Sequence, residues 1–297
     1  MSFLGQMLKA GINPQGPEII FNKPVIGSNL PTAFGNTYYV SKDGSDDNNG
    51  LDWSHALLTL EAAITIMRGR IDWSASPWSN NDVLYVGPGV YAENLTAMPH
   101  GCLIVGAGWD MRDGQFGSKI KPASGSPIDV GGLVNCGFIN MGFEVADTSA
   151  IFDSEILNNC LFNMCYFTGP AETATAAAGL LVNDAVMNRI INCQFSCMDK
   201  GIDANYADGG DSFSHNIIEH CTFDQIDSAG IEISASLVGP SSKVLDCNFF
   251  GGGQTMGYAI NDAIACIDVA RCMAESTSGY NGVRSVNGSY NNGALVT

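Results

Sequence analysis

Hydrophobic positions in this chain come in short alternating runs, broken every few residues by Asn, Asp, Gly or Ser. Beyond the Gly87-Pro88-Gly89 turn, no stretch of about 180 residues carries apolar side chains at helical spacing. Within that region one string recurs: Cys136-Gly-Phe138, Cys165-Tyr-Phe167, Cys193-Gln-Phe195, Cys221-Thr-Phe223 and Cys247-Asn-Phe249. Three residues before each Cys stands Leu133, Phe162, Ile190, Ile218 or Val244, and immediately before it Asn135, Met164, Asn192, His220 or Asp246. A second β-rich element follows, in Gly179-Leu-Leu-Val182, Gly201-Ile-Asp203, Gly230-Ile-Glu-Ile233 and Gly257-Tyr-Ala-Ile260.

A period of about 28 residues, too poor in helix formers for a helical repeat, predicts a stacked β-solenoid. Cys and Phe at i and i+2 share one face of a strand. Stacking the coils sets Cys over Cys and Phe over Phe about every 4.8 Å inside a narrow core. The apolar residue at minus three has the wrong parity for a straight strand that also buries Cys. A bend must intervene, and Asn or Asp before Cys tolerates the left-handed backbone that a bend needs. Asn159-Cys160-Leu161-Phe162 also fits the string, so the second coil has two candidate registers. The Leu-x-x-Leu-x-Leu frame of a leucine-rich repeat is absent.

Residues 1–36 differ. They hold Pro14, Pro17, Pro24 and Pro31 and no period, and read as an extended arm, with a short helix near Phe3–Leu8. The apolar segment Pro17-Glu-Ile-Ile-Phe21 can pack on its own domain or on a partner. Thr37–Val40 reads as a strand, 43–50 as a polar turn, and 54–68 as a helix capped by Ser54 and stopped by Gly69, with Leu57, Leu60, Ile64 and Met67 on its apolar face. Asp82–Val86 is a further strand. Residues 276–297 are rich in Gly, Asn and Ser and form either a last coil or a tail.

Tyr38-Tyr39-Val40-Ser41-Lys42-Asp43-Gly44-Ser45-Asp46, Asn49-Gly50, the Trp53–Ile64 segment, Asp82–Val86, Gly87-Pro88-Gly89-Val90-Tyr91-Ala92-Glu93 and Ile104-Val-Gly106-Ala-Gly108 together resemble pectate-lyase-like right-handed β-helix proteins over about residues 37–275. The resemblance implies an all-β, right-handed parallel β-helix whose N-terminal helix caps an otherwise open edge. That superfamily hosts lyases, hydrolases, epimerases and non-enzymatic virion proteins, so fold does not decide function. In architecture the chain is most like phage tailspike and head-decoration proteins, which pair a short docking arm with a trimeric β-helix. The expectation is a homotrimeric virion protein, docked on a phage capsid or tail through residues 1–36 and contacting a host glycan. The alternatives are a glycan-degrading enzyme and a non-catalytic carbohydrate-binding module.

Composition narrows the partners. Thirteen basic against 30 acidic residues give a net charge of −17, which repels nucleic acid and anionic membranes. Only 14% of residues are charged, against about 25% in a typical soluble protein. The ten cysteines lie in apolar runs and read as small, reduced core residues. No signal peptide or membrane span is expected from the first residues.

Register selects which acids can meet. Asp199 with Asp227, and Asp203 with Glu232, should sit on adjacent coils. At about 5–5.5 Å such pairs serve a retaining glycosidase; the plain alternative is an acidic surface with Asp-rich turns. Arg189, Lys200 and Lys243 are the basic residues between 122 and 270, too few for a lyase acting on an anionic polymer. Asp43, Asp46 and Asp47 could hold calcium, but the segment lacks EF-hand spacing and reads better as a turn. His215 and His220 with Cys221 could hold zinc only if they converged; His220 occupies the bend position of the repeat. No cofactor is expected.

Overall fold

The computed structural model describes residues 35–70, 81–108, 117–170, 176–204, 212–234, 241–251 and 256–296. The arm expected at 1–36 lies outside the described residues except for its last two. Among the described residues the chain winds into a right-handed parallel β-helix with a ten-stranded and a 17-stranded sheet. In the first sheet, Thr37–Val40 pairs with Val83–Val86, and that with Leu103–Gly106. Strands then stack in parallel down to Ser285–Asn287. The segment from Tyr280 onward continues the stack and closes it with an antiparallel hairpin, Ser289–Asn291 on Ala294–Val296.

The core is built of columns in which each side chain meets its counterpart one rung away. Phe143, Phe167, Phe195, Phe223 and Phe249 form one column, all fully buried. Their rings stack face to face, and the last three steps measure 4.7, 4.8 and 4.7 Å at interplanar angles of 4, 5 and 7°. Phenylalanine rings usually prefer offset or edge contacts. Here the spacing between hydrogen-bonded strands dictates the stack.

One expected member belongs elsewhere. Phe138 lies in the first sheet and pairs with Phe162 of the next rung, not with Phe167. Cys136 accordingly stacks on Cys102 and Cys160, whereas the Cys165, Cys193, Cys221 and Cys247 column continues to Cys272. The physical reason is that each rung has two bends followed by an inward residue. The same Cys-x-Phe string therefore arises once per sheet, and the step from Cys136 to Cys165 crosses between sheets. Both candidate registers of the second coil are real: Cys160 serves the first sheet and Cys165 the second. Leu133 likewise pairs with Leu157 in the second sheet rather than with the Phe162 column. All ten cysteines are free thiols, nine of them buried.

The bends are left-handed as expected, in two main columns. Asn135, Asn159, Met187, His215 and Ala265 precede first-sheet strands; Asn140, Met164, Asn192, His220, Asp246 and Arg271 precede second-sheet strands. Cys197 and Gln225 add a third left-handed position inside the strands Gln194–Ala204 and Thr222–Ile233. Asn side chains link rungs, as where Asn159 Nδ2 donates to Asn135 Oδ1 at 2.7 Å. Beyond Cys160 the first-sheet column turns polar. The Cys160 amide donates to Asn188, the Asn188 amide to Asn216, and the Asn216 amide to Ser242.

The helix is shorter than its sequence pattern predicts. Trp53–His55 is a single 3-10 turn capped by Asp52, and the α-helix runs Leu60–Gly69, capped by Thr59 rather than Ser54. Leu57 explains the break, because it leaves helical geometry to bridge Val40 in parallel. Leu60, Ala63, Ile64 and Met67 pack into the same core as Tyr38 and Val40. Asp46 accepts from the Leu58 and Thr59 amides and the Thr59 hydroxyl, while Glu93 accepts from the Leu60 and Glu61 amides. Two carboxylates thus satisfy donors that a helix start leaves open.

Two stability measurements check this packing. Phe195→Ala should cost about 3–5 kcal/mol in denaturant unfolding, because the stacked neighbours cannot collapse into the void. Met187, exposed and held at φ 57°, bears left-handed strain. Met187→Gly should raise stability by about 0.5–1 kcal/mol, the relief exceeding the extra chain entropy of Gly.

Candidate functional site

Two long strands, Gln194–Ala204 and Thr222–Ile233, pair along nearly their whole length in the second sheet. Met198, Ile202 and Ala204 point inward and are buried. The register slips once: Met198 opposes Ile226 but Lys200 opposes Ala229. Asp199 therefore faces two residues, Asp227 and Ser228, across a β-bulge, a feature that re-aims side chains. Just beyond, Gly201 and Gly230 let the backbone pass directly over aromatic rings. A Cβ there would stand 2.3 Å from Phe223 and from Phe249 respectively.

Both expected acid pairs are neighbours. The Ser228 hydroxyl donates to Asp199 Oδ1. Partial burial, and then the charge of Asp199, push the Asp227 carboxyl above its ordinary value. Asp203 and Glu232 are direct parallel partners, but a cation lies between them. Lys200 Nζ is 2.9 Å from Asp203 Oδ2 and 2.7 Å from Glu232 Oε2. Burial works against the Lys200 charge, yet hydrogen bonds to Glu232 and Asp203 outweigh it and keep the ammonium protonated. Asp203 is only 8% exposed and its Oδ1 has no partner. Burial raises its carboxyl pKa, Lys200 opposes this, and the charges of Glu232 and Asp199 add to it. Glu232 Oε1 accepts from Asn261 Nδ2, and Asn281 extends the column.

Four carboxyls and one ammonium thus share one corner of the sheet. The upward shift of the Asp227 carboxyl, from burial and then the charge of Asp199, is in the direction that general acid catalysis uses. Lys200, tied to two acids and held protonated, is not a general base.

The remaining sequence candidates do not assemble. Asp46 is consumed by the helix start. The Asp43 and Asp47 amides donate to the Ser41 and Ser45 hydroxyls, and both acids face solvent. Among the described residues they form no three-ligand cluster. His215 and His220 sit in different bend columns, and Cys221 points into the core. His220 lies 3.8 Å from Glu219 and 3.9 Å from Asp246, but Arg271 already holds Asp246 with two hydrogen bonds.

Three features escaped sequence reasoning. Glu144 is clamped by buried Lys119 at 2.8 Å and by Lys121 at 2.5 Å. Burial alone would raise its carboxyl pKa, but the two lysines hold it below the usual value. Asp129 and Asp153 are direct parallel partners, two rungs before Asp203 in the same outward column, with Leu181 between. Burial, and then the charges of Asp129 and Glu155, raise the Asp153 carboxyl. This pair lies outside the Cys-x-Phe frame from which the other acids were counted. Near the C-terminus, Phe250, Met273, Glu275, Tyr290 and Asn292 line an open groove of 730 Å³. Exposed apolar residues at the end of a polar repeat were the available signal for it.

No protein-family model matches the sequence, and no curated protein does. Among solved structures the chain is similar to a pectin methylesterase in complex with a hexasaccharide, at 13% identity and TM-score 0.47, covering 90% of this chain and 92% of that one. It is also similar to a rhamnogalacturonan lyase, at 15% identity and TM-score 0.48, covering 82% and 70%.

Lys200→Met tests the electrostatics of the corner. It leaves Asp203 and Glu232 facing each other without a cation, so the folded-state pKa of Asp203 rises further. A raised carboxyl pKa subtracts stability once pH climbs through it, and the variant should lose about 2–3 kcal/mol at pH 7. The loss should shrink toward pH 4, as Asp203 takes up a proton; urea unfolding at both pH values reads the difference.

Proposed function

We propose that this chain is a β-helix hydrolase of neutral glycans, with Asp227 as proton donor and Asp199 as its carboxylate partner. The observation that carries this reading is the pair itself: two acids brought across a bulge onto adjacent strands, one with its proton held more tightly than usual. Strands in a sheet lie about 4.8 Å apart, close to the separation of about 5–5.5 Å at which two carboxyls support retaining glycoside hydrolysis. Asp203 and Glu232, neutralised in part by Lys200, hold the corner rather than act on substrate. Asp153 beside Asp129 is raised too, but their rung is regular and supplies no bulge to aim them.

A lyase needs a basic group free to take a proton, and Lys200 is committed to its acids. Net charge favours an uncharged polymer. A purely structural virion protein has no need of unequal paired acids on its surface, and the arm on which that expectation rests lies almost wholly outside the described residues.

The test is reducing-end release from soluble neutral polysaccharides such as mixed-linkage glucan, galactomannan and starch. Wild type should cleave one of them, and Asp227→Asn should lower the rate about 10²–10⁴-fold with an unchanged circular dichroism spectrum. Asp153→Asn should leave the rate unaltered. Full activity in Asp227→Asn overturns the site, and an inert wild type overturns the reading. Carboxyl 13C titration gives an independent sign: Asp199→Asn removes a negative neighbour, so the Asp227 midpoint should move down in pH.

A further inference from the structure

We propose that the C-terminal groove is a binding subsite for an uncharged oligosaccharide. Its relation to a substrate rests on the hydrolase reading, but its capacity to bind sugar does not.

The groove is built by the last rungs. Asn248, Met273 and Tyr290 are successive parallel partners, which puts the Met273 and Tyr290 side chains one above the other, 53% and 45% exposed. Phe250 follows Phe249, and the Glu275 amide donates to the Phe249 carbonyl, so Phe250 and Glu275 are rung neighbours. The far wall is the terminal hairpin. Its turn, Asn292-Gly293, has φ of 48 and 80°, the left-handed pair that a tight two-residue hairpin needs. Asn292 Nδ2 donates to the Ser276 carbonyl and the Asn292 amide to the Ala274 carbonyl. The Tyr280 hydroxyl donates to the Tyr290 carbonyl. The wall is therefore tied to the rung above it.

The lining chooses the ligand. On the preceding rungs the positions in register with Met273 and Phe250 are polar: Gln194, Thr222, Asn248 and Asp224. A phenylalanine, a methionine and a tyrosine gathered at one place offer flat apolar area, and the Glu275 carboxylate beside them accepts hydroxyl hydrogens. Apolar faces with a few polar groups at the edge match a sugar ring, which is apolar on its faces and hydroxylated at its rim. The volume of 730 Å³ lies within the range of about 300–1,000 Å³ usual for small-molecule sites. The acidic surface and Glu275 disfavour uronates, phosphates and nucleic acid.

Phe250 is the parallel partner of Asp224, one rung away, and the left-handed bend at Gln225 separates Asp224 from Asp227 on that strand.

Isothermal titration tests this with cellohexaose, maltohexaose and mannohexaose, and with hexagalacturonate as the anionic control. One neutral hexasaccharide should bind wild type. Tyr290→Ala and Met273→Ala should each weaken binding at least tenfold, Tyr290→Phe should preserve it, and hexagalacturonate should not bind. Unchanged affinity in both alanine variants overturns the proposal. So does preference for the anionic hexamer, or no neutral binding at millimolar concentration. Sedimentation of Tyr290→Ala covers the remaining occupant: a wild-type oligomer that dissociates in this variant would make the groove a contact between copies, and would overturn it too. Binding without any cleavage would leave this subsite standing while the hydrolase reading falls. Cleavage with unaltered binding in the alanine variants would do the reverse.

Discussion

Everything in this molecule answers to one distance, the spacing of about 4.8 Å between hydrogen-bonded parallel strands. In a solenoid that spacing brings each side chain against its own counterpart in the next rung. Only residues that pack well on copies of themselves can fill such columns. Phenylalanine does so by stacking its rings, and cysteine because it is small and weakly polar. Asparagine does so because its amide both donates and accepts, so Asn188 can hand a hydrogen bond to Asn216 and take one from Cys160.

Charge is the case that the rule penalises. An acid stacked on an acid repels, and several acids here are relieved by a nearby cation. Lys200 enters from its own strand to sit between Asp203 and Glu232. Glu144 is flanked by two lysines from an earlier strand, and Asp246 takes an arginine from the next bend. In two pairs one carboxyl is shifted upward instead. Asp153 beside Asp129, and Asp227 beside Asp199, each hold a proton more tightly than an isolated carboxyl would. Only the second pair also has a hydroxyl in the gap, donated by Ser228 to Asp199. Asp227, raised by burial and then by the charge of Asp199, is the member of that pair whose environment marks it for a proton-donating role.

The same rule decides what could be read from sequence. The period, the solenoid and the left-handed bends were legible because they repeat, and repetition is visible in one dimension. Which column a given Cys belonged to was not. Cys136 and Cys165 present identical strings from different sheets, and only the three-dimensional rung separates them. The helix start was misplaced for a local reason: Ser54 looks like a cap, but Leu57 is claimed by a tertiary bridge to Val40 that no periodicity reveals. Asp199 and Asp227 follow from counting from Cys193 and Cys221, which share the second sheet, whereas Asp203 and Glu232 follow from Gly201 and Gly230, counted beyond the bulge, where the two acids are direct partners. Lys200 as a bridge does not follow, because Lys200 stacks on Ala178 and Ala229 and its reach is a matter of side-chain direction rather than register.

The bulge closes the connection between fold and site. A perfectly regular ladder would have set Asp199 over a single partner. The extra residue in Thr222–Ile233 puts both Asp227 and Ser228 opposite Asp199, so the acid that repels and the hydroxyl that relieves occupy one gap. Immediately afterwards Gly201 and Gly230 carry the backbone over Phe223 and Phe249, where no side chain could fit. The aromatic column therefore supports from below the segment that departs from regularity above. A solenoid holds its acids in place by everything that repeats, and gives them a distinct environment only where the repeat is broken.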